Sequence, residues 1–328
     1  MAAQEHRNYC DLVCEGGGVK GIGLAGAFSV LEEHDFRPQN VAGTSAGAIT
    51  AALIAAGYSA AELKDVIFGM DFLKFRDTAW EDKLPLAGKG VSIIKDLGIY
   101  EGRYFEDWIG ELLKTKGVET FSALATDEFG DDPRYRYRLQ VIASDTTSHR
   151  LLVLPRDADQ LGIDPDELSV ARAVRMSMSI PVFFEPVSVT NEKTNREHVI
   201  VDGGMLSNFP IDVFDRTDGE LSRWPTIGIK LSAERSTGTG GRKVTGLITL
   251  GKALVGTLTS WYDRMHINDP DVIKRTIFVD TTGVRATDFG ITKRQQDQLY
   301  ENGRVAATAW LARQKAAAEK AAAEPVVP

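Results

Sequence analysis

Three short stretches carry residues whose type and spacing could do chemistry. The first is Gly43-x-Ser45-x-Gly47, a serine between two small residues where an apolar run, Asn40 to Ala42, gives way to an Ala-rich one. At a strand-to-helix turn, this arrangement exposes a hydroxyl beside helix amides that favour the negative oxygen of a tetrahedral acyl intermediate. In a chain with 31 glycines the spacing also arises by chance, and it then reads as a tight turn with Ser45 as a helix cap. The second stretch, Gly16-Gly17-Gly18-Val19-Lys20-Gly21, lies between the apolar run Tyr9 to Cys14 and a helical pattern. Outward-pointing amides in such a loop hold either a phosphate or an acyl oxyanion. A phosphate cradle wants Ser or Thr after the lysine, but Lys20 is followed by Gly21, so the amides of Gly17 and Gly18 suit the oxyanion better. The third, Asp202-Gly203-Gly204, follows the apolar run His198 to Val201. There a carboxylate would sit at a strand's carboxyl end, where sites on open α/β sheets gather, but Asp-Gly is also a common turn.

The elements that must position these residues alternate. Tyr9 to Cys14 reads as a strand, Val19 to His34 as a helix, Asn40 to Ala42 as a second strand and Ala48 to Ala56 as a helix ending at Gly57. Two strand-turn-helix units in succession predict an α/β sheet with parallel neighbours. Ser59 and Glu62 form a capping box for a helix from Ala60 to Phe68, and Arg103 to Lys114 has helical spacing. Between Asp71 and Tyr100 the period is lost, which suits a flap over a site or an irregular insertion. Strands are expected at Tyr135 to Ala143, Arg150 to Leu154, His198 to Val201, Thr226 to Leu231 and Ile277 to Asp280. Helices are expected at Leu168 to Met178, at Val244 to His266, and from a Thr292–Gln295 cap through Trp310 into an Ala-rich tail.

Bulk composition bounds the rest. The 328 residues are 43% hydrophobic and 26% charged, a globular balance, and the formal charge of -8 gives no support to a nucleic-acid partner. Cys10 and Cys14 share one face of the first strand, too far apart along it to bridge, and read as small buried hydrophobes. The amino terminus lacks a signal pattern and no apolar run is long enough to span a bilayer, so a cytoplasmic protein, peripheral at membranes if it meets them, or one exported without a cleaved signal, is expected.

The three motifs in this order resemble the patatin-like phospholipase family, whose pattern is a GGGxxG oxyanion loop, a GxSxG nucleophile turn and a later DGG or DGA. Ser177-Met178-Ser179-Ile180-Pro181 with Phe183 to Pro186, and Asp202 to Pro210, also look like that family. The resemblance covers about residues 9 to 232 and implies a three-layer α/β fold with a mainly parallel central sheet flanked by helices. It also implies cleavage of lipid acyl esters through an acyl-enzyme, without metal or other cofactor. Ser45 would be the nucleophile and Asp202 the only side-chain base, with Gly16, Gly17 and Gly18 as the oxyanion loop. Lys20, Gly21, Gly43, Gly47, Gly203 and Gly204 would support those motifs. Residues 8–290 would form the catalytic domain, and 291–328 a helix and tail packed on or trailing from it.

Several readings compete. A Ser-His-Asp triad could use His149, His198 or His266, but the serine turn comes too early in the chain for that fold. The same dyad could cleave thioesters or neutral glycerides rather than phospholipids or lysophospholipids, and the Gly loop could instead serve a nucleotide-binding regulator. Lys20 could tether the loop or add positive potential. Trp80, Phe183, Phe184, Trp261 and Tyr262 could touch lipid, although aromatics at such spacing more often belong to a core. A lipid substrate implies transient contact with a membrane surface, which the acidic balance would keep brief on anionic bilayers, and some members of the family need an activator.

Overall fold

In the computed structural model of the chain, the residues described are 8–70, 99–126, 132–181, 184–220, 222–231, 269–286 and 288–323. The expected flap, apart from its last residues at the start of a helix, and the expected helix from Val244 to His266 lie outside them.

The fold is α/β. Strand β1 (Tyr9–Cys14) is followed by α1 (Ile22–Glu33), β2 (Arg37–Thr44) by α2 (Ala46–Ala55), and then come α3 (Ala60–Gly69) and α4 (Ile99–Thr115). Next are β3 (Leu139–Asp145), β4 (Arg150–Leu154), α5 (Val170–Ser177), β5 (Val187–Asn191), β6 (Arg196–Asp202) and β7 (Thr226–Lys230). A short α6 (Pro270–Lys274), β8 (Thr276–Phe278) and the long α7 (Lys293–Ala323) close the order. β3, β2, β1, β7 and β8 run parallel in that spatial order, while β4, β5 and β6 pair antiparallel. The buried parallel strands are near-continuous apolar runs because helices and loops cover both faces. The pleat divides them: Cys10, Leu12 and Cys14 enter the main core, whereas Val13 joins Ala42, Phe209, Ile211 and Phe214 on the opposite face. Both thiols are free and buried, and burial pushes both of them up.

One feature of β3 decides where the site falls. Val141 pairs with Gly43 of β2 on one edge and with Leu154 of β4 on the other. Ala143 pairs with Leu152 of β4 and, on the edge that β2 has just vacated, with Asp202 of β6. β2 and β6 therefore approach head-on along one edge of β3, with Thr44 opposite Ile142 and Asp202 opposite the next residue.

Helix α2 lies buried along its whole length, which its Ala-rich sequence permits because small side chains let it approach the sheet closely. Helix α3 starts on the expected capping box, with Ser59 and Glu62 each accepting from the other's amide. The Thr292–Gln295 pair caps α7 in the same way. α7 packs on α1, where Gly303 lies against Gly23 and Ala27, while Trp310 meets the Phe36 ring, and Arg304 pairs with Glu33 while donating to Ser29.

Two expectations needed correction. β3 starts at Leu139 rather than Tyr135, because residues 132–135 form a turn and the Tyr135 hydroxyl donates to Phe214 O at 2.8 Å, holding the ring off the strand. β5 was not anticipated: it follows Pro186, and its few buried positions leave a weak apolar pattern typical of a sheet edge.

Candidate active site

Ser45 sits between the end of β2 and the start of α2 with φ 54 and ψ -125, a backbone conformation that costs a side-chain-bearing residue about 1–3 kcal/mol. The flanking glycines let the chain turn so tightly. A Cβ on Gly43 would lie 2.2 Å from Gly47 O, and one on Gly47 would lie 2.3 Å from Cys14 O. Ser45 makes no side-chain cap bond to the helix, so its hydroxyl is not consumed by helix capping. Its amide donates to Ser177 Oγ at 2.8 Å, and Ser177 Oγ donates to Ile142 O at 2.5 Å, which ties the turn to β3.

Asp202 ends β6. Its amide donates to Ser179 O at 2.9 Å and its Oδ1 accepts from the Gly204 amide at 2.7 Å. Oδ2 is buried and has no hydrogen-bond partner among the described residues. Burial pushes the carboxyl up to about 6, and the neighbouring Ser45 side chain and the Gly204 amide restrain the rise. In the resting arrangement the Ser45 hydroxyl directs its hydrogen to Met178 Sδ at 3.7 Å, although it stands close enough to the carboxylate to stabilise its charge. Gly203, next in the chain, packs against Ile142 and so keeps the loop on β3.

The Gly loop lies against the serine: a Cβ on Gly16 would be 3.2 Å from that of Ser45. Gly16 is clipped at two points, its amide donating to Asn208 O at 3.1 Å and its carbonyl accepting from Asn208 Nδ2 at 3.0 Å. That leaves the Gly17 and Gly18 amides, which donate to no group among the described residues. Gly18 has φ +54 and presses on the backbone of residue 286, whose carbonyl accepts from the Val19 amide at 3.1 Å. Below the loop, Glu15 is buried in an ion pair with Lys230 and accepts from the Leu231 amide, anchoring the end of β1 to β7. Gly21 seats the loop on α2 beside Ala46. Lys20 is largely buried, which lowers its pKa, and the charges of Glu15 and Asp288 oppose that shift.

The structure thus brings together Ser45, Asp202 and the Gly loop, and separates His149 and His198 from them. His198 lies four residues along β6 from Asp202, about 13 Å at the usual strand rise, and its Nδ1 is bonded to buried Asp145 at 2.7 Å. His149 is exposed in the turn between β3 and β4, and His266 lies outside the described residues, as do Trp80, Phe183, Trp261 and Tyr262. Phe184 packs against the main core. Sequence reasoning singled out residues 177–181 and 202–210 as family-like stretches; they hold Ser177, Met178 and Asn208, whose contacts with the motifs cross more than a hundred residues of chain, and Ser179, which bonds the Asp202 amide. Glu15 and Lys230 gave no signal. Among the described residues no group of three His, Cys, Asp or Glu could hold a metal ion, and no helix is long and apolar enough to cross a membrane.

A family model described as Patatin-like phospholipase matches residues 12–215, which include every motif above. A Bacillus subtilis (strain 168) protein, the uncharacterized YqhO, is 42% identical over 297 residues, 90% of this chain and 96% of that protein. An uncharacterized NTE family protein of Mycobacterium tuberculosis is 28% identical over 211 residues, 64% of this chain but only 29% of that one. Among solved structures, VipD from Legionella pneumophila superposes with a TM-score of 0.53 at 18% identity, covering 93% of this chain and 67% of that chain. ExoU in its heterodimeric complex with SpcU, from Pseudomonas aeruginosa, gives 0.50 at 18% identity, covering 93% and 52%. Both share the fold.

Two outcomes follow from this geometry. A carboxyl raised from 3.8 to about 6 contributes stability that is complete below about pH 4 and lost as pH rises through 6. Asp202→Asn should therefore gain on the parent as pH climbs over that window, by up to about 3 kcal/mol, in melts at a series of pH values; a gap that ignores pH would contradict the buried ionisation. Gly47→Ala should cost more than about 3 kcal/mol or abolish folding, because the new methyl meets backbone, while Gly57→Ala, with nothing within 4 Å, should cost about 1 kcal/mol from its φ alone.

Proposed function

The chain belongs to the patatin-like phospholipase family, whose fold and lipid acyl hydrolase activity it shares, and we propose that it cleaves phospholipid or lysophospholipid acyl esters with Ser45 as nucleophile and Asp202 as base. The observation that carries this reading is the buried Asp202 carboxyl beside the Ser45 hydroxyl, with its Oδ2 unpartnered among the described residues, where β2 and β6 meet.

The proposed chemistry uses these positions. With the hydroxyl turned from Met178 Sδ to Oδ2, Asp202 takes the Ser45 proton as Oγ bonds to the acyl carbon. The Gly17 and Gly18 amides receive the oxyanion, each contributing about 3–4 kcal/mol by analogy with known donors. Collapse breaks the bond to the leaving alkoxide, which takes the proton from Asp202 and departs as an alcohol or lysolipid. Asp202 next deprotonates water, whose oxygen attacks the acyl-enzyme, and Ser45 leaves with the proton returned. A carboxyl at about 6 is a stronger base than an ordinary one and is still roughly nine-tenths ionised at pH 7. Residues 8–290 would be the catalytic unit, with 291–328 extending it, and substrate would be met at a membrane surface.

The test is intact-mass labelling with a long-chain fluorophosphonate in the presence of mixed phospholipid vesicles. The parent should gain one adduct at Ser45, Ser45→Ala none, and Asp202→Asn should label at least 100-fold more slowly. Labelling that survives Ser45→Ala would contradict the assignment of the nucleophile.

A further inference from the structure

We infer that Arg175 is a positioning residue for the Ser45–Asp202 pair, acting through the turn Ser177–Ser179; the inference rests on the dyad reading above. That turn, at the end of α5, holds the backbone of both residues. Ser177 Oγ accepts from the Ser45 amide at 2.8 Å, and Ser179 O accepts from the Asp202 amide at 2.9 Å. Between them, Met178 Sδ receives the Ser45 hydroxyl. Whatever fixes this turn fixes the separation of nucleophile and base.

Arg175 is the group that fixes it. Its guanidinium donates through Nη1 to Ser179 Oγ at 2.5 Å and through Nη2 to Glu185 O at 3.0 Å, spanning the turn and the chain that leads into β5. Ser179 Oγ also donates to Arg175 O at 3.0 Å, so the hydroxyl is held from two sides. The side chain is only 6% exposed and makes no salt bridge among the described residues. Burial lowers its pKa and the charges of Glu106 and Glu185 oppose this without forming a salt bridge to it, so the buried guanidinium is costly, and an apolar side chain would pack there more cheaply. Its place in the last turn of α5, near the negative end of the helix dipole, offsets part of that cost. The neighbouring helix leaves room for it: a Cβ on Gly102 of α4 would lie 2.5 Å from Arg175 Nη2. Glycine inside a helix is itself unfavourable by about 1 kcal/mol relative to alanine, a cost that the space for the guanidinium accounts for.

The test compares fluorophosphonate labelling and ester turnover in Arg175→Met, Ser179→Ala, their double variant, Arg175→Lys and Gly102→Ala, with rates expressed per folded molecule from parallel melts. Arg175→Met and Ser179→Ala should each lower the labelling rate and kcat by about 10- to 100-fold with KM little changed, since sub-ångström misplacement of reacting groups carries penalties of that order. The double variant should be no slower than Arg175→Met, because both changes remove one contact, and Arg175→Lys should recover part of the loss. Gly102→Ala, which favours the helix but displaces the guanidinium, should fall toward Ser179→Ala; these two carry the test should Arg175→Met not fold. Parent-like rates in Ser179→Ala and Gly102→Ala, or losses that multiply in the double variant, would overturn the inference. A parent that fails to label at Ser45 would instead refute the dyad reading itself.

Discussion

The site depends on a single constraint in the sheet: β2 and β6 share one edge of β3 and run into each other. Thr44 stands opposite Ile142 and Asp202 opposite Ala143, so the residues that leave the two strand ends, one a serine and the other a carboxylate, have nowhere to go but toward each other. β3 serves as the ruler. Its Ile142 carbonyl receives Ser177, which holds the Ser45 amide, and Ser144 Oγ donates to Gly203 O at 3.4 Å on the other side of the meeting point. A parallel strand and an antiparallel one are both needed, because only opposite directions bring two carboxyl-terminal ends together on one edge.

That geometry is held against local costs. Ser45 occupies a disfavoured backbone conformation, and Asp202 keeps a buried oxygen without a hydrogen-bond partner among the described residues. Each is the kind of strain that persists only where the surroundings over-determine it. Here they do: α2 is buried throughout, Gly43 and Gly47 close on each other and on β1, and Asn208 clips the Gly loop to the turn that follows Asp202. The Glu15–Lys230 pair under the loop belongs with these supports, since breaking a buried pair leaves a charge with no solvent to receive it. The positive φ of Gly18 against the chain at residue 286 adds a support from beyond residue 215, where the family match ends.

Much of this was legible in the sequence, and what was not has a physical explanation. β1, β4 and α3 fall where the apolar runs and the Ser59–Glu62 box put them, because buried strands and capped helices carry short-range signals. The three motifs were visible as residue types at fixed spacing, and the structure brings them together. The head-on meeting of β2 and β6 was not visible, since strand order is a matter of pairing between distant residues, such as Gly43 with Val141 and Ala143 with Asp202. β5 escaped because a half-exposed edge strand needs few apolar residues, and β3 was begun too early because Tyr135 is apolar but bonded outside the strand. Ser177, Ser179 and Arg175 act through hydrogen bonds to distant backbone or to each other, which leave no periodicity to read.

The central claim is that the Asp202 carboxylate is held dry beside Ser45 and titrates as its base. The direct measurement is a carbon-detected NMR titration of side-chain carboxyls, with Asp202 identified by subtracting the Asp202→Asn spectrum, since burial also pushes Asp11 up to about 6. The account predicts a midpoint near 6 for Asp202 that coincides with the acid limb of the Ser45 labelling rate. An Asp202 midpoint near 4, or a labelling rate that does not follow its titration, would contradict it.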